Sequence, residues 1–105
     1  MRLLFATAIM TSFLAYPALA QDTPVPAADL KKLVVGKTIN SGGAKLWYGK
    51  DGSYTYNGGS PGKYTVSTGK ICVNFNAGKS RCDRIVKSGS MYYLINSAGK
   101  RFSFG

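Results

Sequence analysis

The chain has 105 residues, two cysteines, no histidine and a net charge of +10, with fourteen Lys plus Arg against four acids. Without histidine, a Ser-His-Asp or Cys-His nucleophilic site cannot be assembled within one chain, and a histidine-containing zinc site is excluded. The length sets one small domain with a modest core.

Arg2 opens the chain with a positive charge, "LLFATAIMTSFLAYP" is an apolar run, and "ALA" places small residues before Gln21. That is the layout of a secretory signal peptide over residues 1–20, with cleavage expected between Ala20 and Gln21. The apolar run is short for a membrane span, and no second run follows. No cysteine stands at the junction, so a lipid anchor there is not expected. A secreted or periplasmic location follows as the expectation. Removing residues 1–20 leaves 85 residues, and losing Arg2 lowers the net charge to +9.

Residues 21–25, "QDTPV", read as a flexible lead, and residues 26–105 as a single small β domain. "PAADLKKLVVG" predicts one short helix. Pro26 suits the first turn, where its missing N–H costs nothing. Asp29 lies early and Lys31 and Lys32 late, which complements the helix dipole. Leu30, Leu33 and Val34 form a single apolar stripe, and Gly36 is a plausible stop.

From Lys37 onward, short apolar and aromatic runs alternate with glycine turns. The predicted strands are "KLWY", "SYTYN", "KYTVS", "KICVNF", "SRCDRIV", "MYYLI" and "RFSF". Asp51-Gly52 is a hairpin signal, because Asp-Gly accommodates the positive dihedrals of a two-residue turn. Gly69, Gly78, Gly89 and Gly99 recur about every ten residues, a spacing that fits an antiparallel meander. The expected fold is mainly β: a barrel or sandwich of about six to seven strands, with one short N-terminal helix and one disulfide.

Cys72 and Cys82 are separated by nine residues. In an oxidising compartment an even cysteine count reads as a structural disulfide. The spacing lacks the Cys-x-x-Cys form of redox sites and, without histidine, makes a poor metal site. No metal or other cofactor is expected. If the cysteines lie opposite each other, the hairpin turns at Asn76, Ala77 and Gly78, a three-residue loop with glycine last. One face then carries Cys72, Cys82, Asn74, Ser80, Arg84 and Val86. The other carries Ile71, Val73 and Phe75 opposite Asp83, Arg81 and Lys79. Both faces are mixed, where a half-buried hairpin should sort them. Either a bulge shifts one strand, or a mixed face is used.

The four acids are Asp22, Asp29, Asp51 and Asp83. They form no carboxylate pair of the kind that glycoside hydrolysis needs. Asp83 stands among cations in sequence, so a lowered pKa is expected, the wrong direction for a general acid. No enzymatic activity is expected. What remains is charge: Lys70, Lys79, Arg81, Arg84 and Lys87 are the candidate binding residues, suited to an anionic glycan, a lipopolysaccharide phosphate, an acidic protein or a nucleic acid. The opposing reading is that lysines keep strand edges soluble. Trp47 and the tyrosines at 48, 54, 56, 64, 92 and 93 divide between core pairs and surface.

The order of "LKKLVVGKT", "YGKDGSYTYNGG", "GKYTVSTGKICVNF", a second cysteine and "SGSMYYLINSAGKRFSF" resembles small secreted proteobacterial domains of unknown function, over roughly residues 30–104. Tyr64 stands where such domains often carry tryptophan. The resemblance implies a secreted β domain with a disulfide, and it brings no activity. "SGGAK" is also similar to the inhibitory loop of periplasmic lysozyme inhibitors, whose serine and lysine meet the enzyme's carboxylates. It implies Ser41 and Lys45 as an alternative inhibitor loop. That loop falls late in those inhibitors and early here. A basic lysozyme would also repel so cationic a partner during encounter.

Overall fold

The structure is a computed structural model that describes residues 21–105. The expected signal peptide and its cleavage junction lie outside the described residues. The described residues form nine strands and one helix. In chain order they are β1 (Thr23–Pro24), α1 (Ala27–Val34), β2 (Lys37–Ser41), β3 (Ala44–Tyr48), β4 (Ser53–Tyr56), β5 (Gly59–Ser67), β6 (Lys70–Phe75), β7 (Ser80–Ser88), β8 (Met91–Ile95) and β9 (Arg101–Ser103). From β2 to β9 each strand pairs antiparallel with the next, as glycine-punctuated runs of this length dictate. The sheet curls into a nearly closed barrel. Its two ends meet where the Gly105 N–H donates to the Asn40 carbonyl at 2.9 Å.

Every predicted strand is present, and the count exceeds the expected six to seven by the addition of β1 and β2. In β2 only Ile39 is a large apolar residue, and its inward neighbour is Ser41, so the alternation that marks a half-buried strand is faint. β1 falls within the residues expected as a loose lead, and that expectation is corrected. β6 begins only at Lys70, opposite Arg84, which leaves the far part of the β7 edge open. Thr23 and Pro24 fill it, opposite Lys87 and Val86. Val25 is then drawn into the core at 3% exposure, its N–H donating to Ile85 O and its carbonyl accepting from Gly69 N–H. Covering an edge in this way removes unpaired ladder groups.

The core is aromatic as well as aliphatic. Tyr48 packs against Tyr54, Tyr64 and Phe104 with ring centroids 5.4, 5.1 and 6.3 Å apart. Such tilted pairs add about 0.5–1.5 kcal/mol each beyond area burial. The Tyr64 hydroxyl donates to the Gly49 carbonyl at 2.7 Å, so its polar tip is satisfied. Burial raises the Tyr48 and Tyr54 phenol pKa values, which keeps both neutral.

The meander sorts its connections between two ends. The β3–β4, β5–β6 and β7–β8 turns lie at one end, together with α1, whose Leu30 and Val34 are fully buried in the core. The helix contacts β2 and β5 and plugs that end. The β2–β3, β4–β5, β6–β7 and β8–β9 turns gather at the other end, where no helix among the described residues covers the interior. The Asp51-Gly52 turn is a three-residue loop between Gly49 and Ser53 rather than a two-residue one, because Asp51 Oδ1 accepts the Ser53 N–H at 3.0 Å and holds the longer loop. Two-residue turns occur instead at Gly42-Gly43 and Asn57-Gly58, each with two positive φ angles. At Gly42 a Cβ would stand 2.5 Å from the Phe102 ring, so only glycine lets this turn close against β9. No helix among the described residues is long and apolar enough to cross a membrane.

Candidate functional site

β6 and β7 pair with Cys72 directly opposite Cys82 and without a shift in register, and the disulfide is formed. The expected loop at Asn76–Gly78 closes the hairpin through Phe75 N–H to Lys79 O. The bulge alternative for this hairpin is therefore set aside; the irregularity lies between β4 and β5, at Tyr54/Tyr56. The mixed face is real and points into the barrel. Ile71 and Val73 are about 1% exposed there, and Arg81, Asp83 and Ile85 share that face. The disulfide sits on the outer face.

This placement divides the five candidate cations. Lys70 and Arg84 are opposite each other on the outer face, both exposed. Lys87 lies toward the helix-plugged end with its ammonium 5.7 Å from the Tyr92 ring centre. Only Lys79 and Arg81 come together, at the open end. Ser41 and Lys45 are not brought together: Ser41 is 7% exposed, pointing inward, and Lys45 points outward. A buried serine hydroxyl cannot enter a partner's cleft in this conformation.

At the open end Arg81 reaches inward along the barrel wall. Its Nε donates to Asp83 Oδ2 at 2.8 Å, and its Nη2 donates to the Tyr54 hydroxyl at 3.4 Å. Its guanidinium also lies 5.9 Å from the Tyr56 ring centre. Asp83 is 4% exposed, and its Oδ1 has no hydrogen-bond partner. The expectation of a lowered Asp83 pKa is corrected. Burial raises it, and the Arg81 ion pair offsets only part of that effect. Position along the chain placed Asp83 among cations, but pleat direction placed it inside the barrel, where desolvation dominates.

Two concavities meet at Arg81. One is a cavity of about 170 Å³ in the barrel mouth, with Leu46, Leu94 and Ala44 as apolar wall and Ser41, Asp83 and Asn96 as polar wall. Tyr56 and Phe102 stand at its aromatic side. The other is an open groove of about 840 Å³ lined by Pro61, Phe75, Ala77, Lys79 and Arg81. Gly62 faces Tyr54 and Phe75 in register, and the two rings meet beside it at 5.9 Å, which holds Phe75 at the groove floor. Lys100 adds a further cation at this end, over the Phe102 ring at 5.6 Å.

Sequence reasoning missed Asp83, Tyr56, Asn96 and Lys100 as members of this end. The mixed hairpin face was the available signal for Asp83; nothing local pointed to the others, which the meander assembles from separate turns. Among the described residues no group of three or more His, Cys, Asp or Glu is placed to hold a metal ion. Comparison with protein-family models, curated proteins and solved structures gives no match.

Proposed function

We propose that the protein is a secreted or periplasmic, non-enzymatic binding module that takes an amphipathic anion, such as a phosphorylated glycolipid or acidic glycan, at the open end of its barrel. The observation that carries this reading is the groove of about 840 Å³, in which Pro61, Phe75 and Ala77 lie beside Lys79 and Arg81. Its size is within the about 300–1,000 Å³ of small-molecule sites, and barrel mouths are a recurrent place for them. A phosphate or carboxylate would meet the cations, and an apolar chain or sugar face would meet the groove floor.

Among the described residues, the exposed cations of the open end are not offset by an exposed acid. Asp29 belongs to α1 and Asp51 to a turn at the plugged end, while Asp22 is tied to Arg101 at 2.7 and 2.9 Å. Asp83, the remaining acid, is buried and paired with Arg81. Lys79 and Lys100 therefore leave the open end with excess positive charge. The disulfide fits an oxidising compartment, and residues 1–20 read as a leader to one.

The test is co-sedimentation with vesicles carrying a phosphorylated glycolipid, against zwitterionic vesicles. Lys79→Ala/Lys100→Ala should weaken binding about ten- to thirty-fold at low salt, since each lysine near an anionic surface contributes about 1 kcal/mol. Lys70→Ala/Arg84→Ala, on the outer face, should leave it unchanged. Equal binding by both double variants, or none by the unaltered protein at low salt, would contradict the reading.

A further inference from the structure

We infer that the barrel-mouth cavity beside the groove is a separate subsite for a neutral, hydroxylated ring, such as a single pyranose or cyclic polyol, held by Asp83. The inference stands on a buried acceptor and does not depend on the groove reading. Asp83 is 4% exposed, lines the cavity, and keeps Oδ1 without a donor. An unmet buried carboxylate oxygen is costly, and an uncharged protein interior rarely keeps one unless something supplies the missing donor. One water does not fill the space. The cavity of about 170 Å³ is roughly ten times the about 10–15 Å³ that one water needs.

The chemistry of the walls selects the class of donor. Asp83 already has its charge matched by Arg81 through Oδ2 at 2.8 Å. A second cation would enter a neutralised, desolvated pair with a guanidinium beside it, and like-charge repulsion opposes that. A hydroxyl supplies the donor without adding charge. Asn96 Oδ1 already accepts the Ala98 and Lys100 N–H groups at 3.0 and 2.9 Å, which leaves its Nδ2 to donate. Adjacent hydroxyls on a ring both donate and accept, so one can meet Asp83 while its neighbour meets Asn96 or Arg81. Leu46, Leu94 and the Tyr56 and Phe102 rings then face the C–H surface of that ring. The volume falls below that of sites for drug-sized ligands and suits a single ring.

The test is an amide-resonance titration of the oxidised protein with glucose, galactose and myo-inositol, and with ethylammonium chloride as a cationic control. At least one of the three polyols should give saturable shifts concentrated at Ser41, Tyr56, Asp83 and Asn96, and the control should not. Asp83→Asn should weaken saturation about ten-fold or more, as loss of a hydrogen bond to a charged acceptor predicts. Tyr56→Ala alters a partly exposed ring at the rim, should leave the fold intact, and should also weaken saturation. Polyol binding should be indifferent to salt, whereas groove binding should fall with it, so either can fail alone. No saturable shift with any polyol, unchanged saturation in both variants, or stronger shifts with ethylammonium would overturn the inference.

Discussion

Asp83 and Arg81 are the residues on which the open end depends. Arg81→Ala would leave a buried carboxylate without its partner, and should cost about 2–3 kcal/mol, below the about 3–5 kcal/mol of a fully buried pair because Arg81 is one-third exposed. Asp83→Asn keeps the shape and removes the charge, so it should cost less; chemical denaturation of both variants checks the order. The raised Asp83 pKa also has a sign. A carboxyl whose pKa rises on folding favours the folded state below its unfolded value of about 3.9, and that contribution is lost as pH rises through the folded value. Asp22 and Asp51, lowered mainly by their hydrogen bonds to Arg101 and Ser53, act the other way: their contributions are present above about 3.9 and lost as pH falls through the folded values. Denaturation midpoints measured upward from pH 4 should therefore decline less in Asp83→Asn than in the unaltered protein. An identical decline would show that Asp83 titrates as an ordinary surface group. The sequence carried the inputs to this behaviour but not the outcome, since the acid's cationic neighbours in the chain were visible and its inward direction was not.

In the β6–β7 hairpin the sequence disclosed the disulfide and the glycine-ended loop but left the register open between directly opposed cysteines and a bulge; the opposed register is the one found. Closing this loop should stabilise the fold by about 2–3 kcal/mol, and reduction should lower denaturation stability by that amount. β1 was hidden because two residues that include proline carry no strand pattern; its pairing exists only because β6 stops short of the end of β7. Val25→Ala should accordingly cost about 2 kcal/mol, the value of two buried carbon groups plus a small cavity. A loose lead would show no change. β2 was also missed, although Gly42-Gly43 between Ser41 and Ala44 was a two-residue hairpin signal. Gly42→Ala combines a positive φ of 57° with the approach to Phe102, and should lower the thermal midpoint where Gly43→Ala, which meets no neighbour within 4 Å, should lower it less.

At the scale of the molecule, period-two alternation and glycine turns were enough for an antiparallel barrel, because each such run can bury one face only by pairing with its neighbours. They could not say which group of turns the helix covers. That depends on the number of strands between α1 and β3, and the missed β2 reverses it. With β2 in place, α1 plugs one end and the other presents Lys79, Lys100 and Arg81 around an uncovered interior. The candidate cations thus separate into an outer-face pair, one residue at the plugged end and two at the groove. The most direct test of the central claim is an amide-resonance map of the oxidised protein titrated with micelles of a phosphorylated glycolipid. The account predicts shifts confined to Ser60, the Phe75–Arg81 segment and the Asn96–Lys100 turn, fading as salt rises. Shifts centred on Lys70 and Arg84, on Lys87 and Tyr92, or spread evenly over the surface lysines would contradict it.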